Sequence, residues 1–351
     1  MRPNRLTEAS RAAATVLELL IAVAVVGVLA AVLLPAVQAS REAARATSCR
    51  NRLKALGLAT AQYAEAFSAY PPGLLPTAGS STAWDWRGFS AQVRVLPWLE
   101  RDDLYRGFDL ERWAHDGAAN DRWAAQPIVA LRCPSERPVV VGEDGSGNDP
   151  GCNYAYCLGT SLGFEHDGVE IPAADQTGMI AMTRTTRPSD VTDGLTQTIL
   201  ASEQLIAGFE PGIGDRLAVR AMYRYAAATL PLDFPASRAT PNQVDQWASI
   251  CDRVSGRGRH VGRQYHRGLP GQTLFNTLLG PNSRSSNCSN HCVALCEPDG
   301  AGLFAARSRH PGLVHSVFGD GAVRPVSDGI DRTVWQRLGD RNDGQPVDFG
   351  R

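Results

Sequence analysis

The chain has 351 residues, with 35 basic against 36 acidic side chains and a formal net charge of −1. That near-balance removes any charge-based reason to expect a nucleic-acid partner. Only one basic residue, Lys54, is a lysine, a skew better explained by genomic base composition than by arginine-based recognition.

The first element is the apolar run Ala13 to Pro35, AATVLELLIAVAVVGVLAAVLLP. As a helix, Val16 to Leu34 spans roughly 28 Å, close to a hydrocarbon core of about 30 Å, so the run predicts a membrane span. Its one charge is Glu18. A carboxylate costs about 2.5–3.5 kcal/mol at mid-membrane, which makes an unforced Glu here unexpected. A cleaved signal peptide is the competing reading, with a basic start, an apolar centre and a small-residue site at Val37-Gln38-Ala39. Glu18 within the run and the helical pattern beyond it favour an anchor. Arg2, Arg5 and Arg11 precede the span, whereas Arg41, Arg45, Arg50, Arg52 and Lys54 follow it. By count alone, the positive-inside rule leans against a cytoplasmic N-terminus.

Beyond Pro35 the helix signal resumes. Leu53, Leu56, Tyr63 and Phe67 fall on one stripe, with Thr60 as a polar interruption and Arg50 and Lys54 facing away. A helix from Thr15 to Phe67 would be about 80 Å long, with a bend allowed at Pro35. YPPGLLPTAGSST (Tyr70–Thr82) ends it and reads as a linker. After it no long amphipathic helix is evident. Phe89–Leu96, Gly178–Met182, Thr198–Ser202 and Leu217–Tyr225 read as strands or short helices, and Gly142–Gly151 and Gly280–Asn290 as loops. Val314–Phe318 and Ala322–Val326 flank Gly319-Asp320-Gly321 as a hairpin with an Asp-Gly turn. The predicted class is α+β: a long N-terminal helix against an antiparallel sheet with long loops.

Eight cysteines (Cys49, Cys133, Cys152, Cys157, Cys251, Cys288, Cys292, Cys296) follow the apolar run. In a domain beyond the membrane they predict disulfides. Cys152–Cys157 and a bridge within 288–296 are the shortest closures. Cys288, His291, Cys292 and Cys296 also form a candidate Cys3His zinc set, although they lack a Cys-x2-Cys knuckle. Glu143, Asp144, Asn148 and Asp149 could hold calcium but fit no EF-hand spacing, and a solvated loop is the simpler reading. Trp84 and Trp86 suit a sugar, or more simply cover the sheet. His310 with Asp320-Gly321 could form an acid–base pair or half a metal site. The plainer reading is a turn that uses the positive φ of Asp-Gly, with His310 holding the start of a strand. HExxH, GxSxG and phosphate-loop patterns are absent, so neither an enzyme nor a cofactor is expected.

The start of the chain resembles the signal of type IV prepilins and type II secretion pseudopilins. Met1–Ala13 takes the place of the leader, and Glu18, Gly27 and Pro35 stand at that signal's fifth, fourteenth and twenty-second positions after the cut. Ala13 and Ala14 occupy the sites where Gly and Phe are usual. Farther on, Ala36–Gly73, VLPWLERDDLYRGFD (Val95–Asp109), CPSE (Cys133–Glu136), NYAYCLG (Asn153–Gly159), DVTDGLTQTILASE (Asp190–Glu203), FNTLLGPNS with Cys288, and HPGLVHSVFGDG resemble the blocks of one bacterial family. That family comprises prepilin-like proteins with a domain of unknown function, DUF1559, and a C-terminal His-x9-Asp-Gly signature, here His310, Asp320 and Gly321. Leu313 replaces an expected Gly, and Pro325 interrupts what is usually a strand.

The resemblance implies cleavage between Ala13 and Ala14 by the prepilin peptidase, methylation of the new amine, and assembly directed by Glu18. It implies a leader (1–13), a transmembrane half-helix (14–37), a soluble half-helix (38–69), a linker (70–82) and an extracytoplasmic α+β domain (83–351) containing the terminal block (310–321). The protein would be a single-pass inner-membrane protein with a cytoplasmic N-terminus. Its partners would be membrane lipid, the peptidase and other pilin-like subunits, with no nucleic acid. The expected function is a pilin-like or pseudopilin-like envelope protein that joins a filament or secretion pseudopilus. The alternative is a membrane-tethered binding module that does not polymerise.

Overall fold

The computed structural model describes residues 16–75, 87–114, 116–117, 119–136, 150–163, 171–207, 223–224, 233–254, 257–258, 261–290, 300–345 and 347. Helix α1 runs unbroken from Val16 to Phe67 through Pro35. The chain divides into two units, Met1–Arg45 and Ala46–Arg351.

In the first unit the apolar side chains of α1 face outward all round the helix. Val16, Leu20, Val26 and Leu34 are each more than half exposed. This stretch is apolar on every side, none of the described residues covers it, and the helix is long and apolar enough to cross a membrane. This fits a single-pass anchor.

The second unit is α+β. Its strands are β1 (Leu74–Leu75), β2 (Phe89–Ser90), β3 (Tyr154–Cys157), β4 (Ile199–Glu203), β5 (Tyr223–Arg224), β6 (Arg257–Gly258), β7 (Leu274–Phe275), β8 (Asn287–Ser289), β9 (Gly302–Leu303), β10 (Leu313–Phe318) and β11 (Val323–Ser327). After α1 come the short helices α2 (Ala91–Arg94), α3 (Asp102–Gly107) and α4 (Asp121–Ala124), then α5 (Pro241–Arg253) and α6 (Arg332–Gly339). The main sheet has the order β11-β10-β4-β3-β7; all its pairs are antiparallel except β3–β7, which is parallel. A second sheet, β6-β5-β8-β9, is also mixed. The expected α+β class with an antiparallel sheet is what forms, with β3–β7 and β5–β8 as parallel pairs within it.

Both faces of the main sheet are covered. Tyr154, Tyr156 and Val317 pack with Cys49, Leu53, Leu56, Ala59 and Ala64 of α1. Ala155, Cys157, Ile199 and Phe318 pack with Phe275, Phe304, Trp335 and Leu338 on the other face. A third cluster gathers Trp247, Phe234 and Leu303 around α5. Two-sided burial explains why β3 and β4 carry no apolar–polar alternation in sequence.

On α1, Leu53, Leu56 and Thr60 lie buried as the stripe predicts, but Phe67 is 60% exposed, tilted against Tyr63 and edge-to-face with Trp98. Thr60 is no defect. Its hydroxyl donates to Leu56 O at 2.8 Å and meets Tyr156 Oη at 2.6 Å. Residues 70–75 of the segment read as a linker are built into the domain: Tyr70 N donates to Thr186 O, Gly73 N to Ala181 O and Leu74 N to Met182 O. Gly178–Met182 therefore supplies acceptors to that segment without forming a strand of its own. Phe89–Leu96 is a two-residue strand that turns directly into α2, with Ser90 as the N-cap. Pro325 does not break β11, because β11 is the sheet edge, where a missing N–H goes unnoticed.

The cysteines pair Cys49–Cys133 and Cys251–Cys288, and Cys152 and Cys157 stay free and buried. Among the described residues the expected Cys152–Cys157 closure does not form, and Cys288 pairs outside the 288–296 segment; Cys292 and Cys296 lie outside the described residues. Cys152 and Cys157 bracket extended strand β3, and five residues at about 3.3 Å each place their Cα atoms roughly 16 Å apart. A disulfide needs about 4.4–6.8 Å.

Candidate functional site

Four of the sequence blocks converge on one buried polar cluster. β4 ends in Glu203, a carboxylate 2% exposed. The antiparallel ladder pairs Ser316 with Ser202, which puts His315 opposite Glu203. There the Glu203 side chain takes over from the ladder: its Oε2 accepts His315 N at 2.8 Å and faces His315 Nδ1 at 3.3 Å. The other oxygen, Oε1, lies 3.2 Å from His310 Nε2, but no aligned hydrogen bond reaches it. The two imidazoles meet edge to face at 5.0 Å.

Burial alone would raise the Glu203 carboxyl. The facing imidazoles of His310 and His315 outweigh it and hold the group below the ordinary carboxylate range.

A second carboxylate, Glu136 of the CPSE block, stands beside the first. Its Oε1 accepts Arg309 Nε at 2.9 Å, and its Oε2 accepts Asn153 Nδ2 and Ile206 N, each at 3.0 Å. Asn153, just before β3, also donates to Gln204 O at 3.0 Å and accepts Cys133 N at 2.9 Å. The Cys49–Cys133 disulfide closes the cluster on its α1 side, with Cys133 Sγ 3.8 Å from His310 Nε2. Tyr154 adds a bond from its hydroxyl to Cys49 O at 3.0 Å. A cavity of about 10 Å³ lies among Cys133, Glu136, Asn153, Glu203 and Arg309. An open cleft of about 720 Å³ runs past His310, Arg309, Arg284, Ser283 and Asp328.

This arrangement can hold a charge pair out of water and fix several segments to one another. It does not present a nucleophile with its base. The Ser308 hydroxyl is committed to Leu313 O at 2.6 Å and accepts His310 N at 3.1 Å. Cys152 and Cys157 are inert, because burial pushes each thiol up to about 12.

His310 does not meet Asp320-Gly321; the two stand at opposite ends of β10. Asp320 Oδ1 accepts Ala322 N at 2.9 Å, Oδ2 pairs with Arg324, and Gly321 takes φ +77°, the turn-making geometry expected. Glu18 lies exposed in the first turn of α1, and Pro35 within that helix. Cys288 joins β8 to α5 through Cys251. Ala13, Ala14, His291, Cys292, Cys296, Trp84, Trp86, Glu143, Asp144, Asn148 and Asp149 lie outside the described residues. Sequence reasoning did not single out Glu203, His315, Glu136, Asn153 or Arg309 as site residues. The signal was present: four of them sit within quoted blocks, and Arg309 immediately precedes the block that opens with His310.

The family of proteins of unknown function DUF1559 matches residues 38–333. The chain belongs to that family. The match begins within α1 and ends within α6, so every residue of the polar cluster falls inside the DUF1559 region. No curated protein and no solved structure matches the chain.

Proposed function

We propose that this DUF1559 protein is a pilin-like envelope protein, anchored by α1 in the inner membrane with its N-terminus in the cytoplasm. One observation carries the reading. A single helix is apolar and outward-facing from Val16 to Leu34, carries Glu18 in its first turn, and is built into the folded domain from Cys49 to Ala64. Cleavage before Ala14 by the prepilin peptidase places a new amine four residues ahead of Glu18. The amine of one subunit then pairs with the Glu18 carboxylate of its neighbour, which neutralises both charges in lipid and sets the register between subunits. The partners are membrane lipid, the peptidase and like subunits. The role of the domain is to present a surface, without catalysis.

The test is the terminal peptide of the native protein by mass spectrometry, followed by crosslinking in membranes. Methylated Ala14, with oligomers that disappear in Glu18→Ala, supports the proposal. A start after Ala39 refutes it. The open cleft beside His310 favours a second reading, a tether that binds a ligand without polymerising. Oligomers unchanged by Glu18→Ala would select that one.

A further inference from the structure

We infer that Cys49, Cys133, Glu203 and His310 form a binding site for a thiophilic divalent cation of the zinc type, closed while the disulfide stands and opened by its reduction. One ligand atom from each residue already lies within 4.8 Å of the other three. In a tetrahedral zinc site with ordinary bond lengths, neighbouring N and O ligands stand about 3.4 Å apart and N and S about 3.6 Å. Here His310 Nε2 is 3.2 Å from Glu203 Oε1 and 3.8 Å from Cys133 Sγ. The two sulfurs must separate from bonded contact to about 3.8 Å, while the other ligand atoms start within 4.8 Å of one another.

Three further observations point to a guest. Glu203 Oε1 is buried without a hydrogen-bond partner, an uncommon and costly state for a carboxylate oxygen. Its sister oxygen is held by the His315 backbone N–H at 2.8 Å, with Nδ1 facing it at 3.3 Å, which aims Oε1 at the site as an outer-sphere partner does for a metal-bound carboxylate. The adjoining cavity of about 10 Å³ is close to the volume that admits one water-sized guest, and Arg307 and Arg309 line it. Arg309 is paired with Glu136, and Arg307 offsets the single surplus negative charge that two thiolates and a carboxylate leave on a divalent ion. The donor set of two sulfurs, one imidazole and one carboxylate suits zinc and disfavours calcium or magnesium.

The redox step balances with a dithiol as reductant. The Cys49–Cys133 bond takes two electrons and two protons, and the dithiol closes to its own disulfide. The two thiols then lose their protons as the cation binds. The same four residues thereby staple α1 to the Cys133–Glu136 segment in either state, by a covalent bond or by a metal.

The test uses the full-length protein in detergent, reduced anaerobically with a phosphine, desalted, and titrated with zinc and with cobalt. The reduced protein should take up one tight equivalent, show thiolate–cobalt charge-transfer bands, and protect Cys49 and Cys133 from alkylation until chelator is added. The oxidised protein should show none of this. Glu203→Gln and His310→Gln should each weaken binding by about tenfold or more. Absence of stoichiometric binding, or alkylation of Cys49 and Cys133 at the same rate with and without zinc, would overturn the assignment. So would unchanged affinity in both variants. If either variant misfolds, the alkylation map of the wild-type chain decides alone.

Discussion

The docking of α1 on the main sheet turns on Gly57. A Cβ built there stands 2.6 Å from Val317 Cγ2, about 1 Å inside ordinary carbon–carbon contact. Val317 is fully buried and β-branched, so it has no free rotamer into which to retreat. Gly57→Ala should therefore carry an overpacking cost of about 1–3 kcal/mol. Against it stands the better helix propensity of alanine, about 0.8–1.0 kcal/mol. The net expectation in the wild-type background is a loss of up to about 2 kcal/mol. Shortening the obstructing side chain should reverse the sign. In a Val317→Ala background, Gly57→Ala should stabilise by close to the propensity difference, giving a coupling of about 1–3 kcal/mol between the two sites. The assay is urea unfolding of the four full-length variants in one detergent, followed by fluorescence of the buried Trp247 and Trp335. If Gly57→Ala stabilises equally in both backgrounds, α1 does not pack on β10 as closely as the argument requires.

Thr60→Val should cost about 1–3 kcal/mol by stranding the buried Tyr156 hydroxyl, and Tyr156→Phe added to it should recover much of that loss. Urea midpoints of the four variants check it, and strict additivity would count against the bond. Glu203→Ala should cost about 3–5 kcal/mol, because it leaves two imidazoles facing each other in a buried site. Since the folded-state carboxyl of Glu203 lies below its unfolded value, its contribution is complete above about pH 4.3 and fades as pH falls through the folded pKa. The stability gap between wild type and Glu203→Gln should therefore shrink on the acid side; a gap that widens there refutes the sign. Cys152 and Cys157 should resist alkylation at neutral pH in the folded protein and react only after denaturation, as read by peptide mass mapping.

What could be read from sequence was what the chain encodes locally. The whole of α1 is legible because apolarity and a 3.6-residue period suffice to specify it, and the hairpin from Leu313 to Ser327 because Asp320-Gly321 specifies its own turn. Helix α5 was missed despite a local signal: Thr240 caps it, Pro241 opens it, and Gln243 completes the capping box. Thr60 looked like a flaw in the stripe because its partner, Tyr156, is 96 residues away. The disulfides were not legible for the same reason. Chain-entropy reasoning favours short closures, whereas the observed bridges join residues 84 and 37 positions apart that only the fold brings together. Glu203 illustrates the limit most clearly. At the end of ILASE it looks like a solvated strand terminus, and only the arrival of His310 and His315 makes it the centre of a site.

The nine-residue spacing between His310 and Asp320 acquires a physical meaning from this arrangement. One end of the interval is fixed by the contact of His310 with Glu203, the other by the Asp-Gly turn that returns the chain as β11. Between them β10 is paired on both edges, with β4 and with β11, so neither end can slide without losing a ladder. A strand has a period of two, and a shift of one residue would carry Val314 and Phe318 away from the Trp335 cluster and Val317 away from α1. The spacing thus measures a strand, with the histidine and the turn as its two anchors. A protein that asked only for an Asp-Gly turn would have no use for His310 at a fixed distance from it. A protein that asked only for a buried histidine would have no use for the turn. Their combination places Glu203, Glu136 and the Cys49–Cys133 bridge around one point beneath α1. Whatever surface the folded domain presents is therefore tied, through that point, to α1.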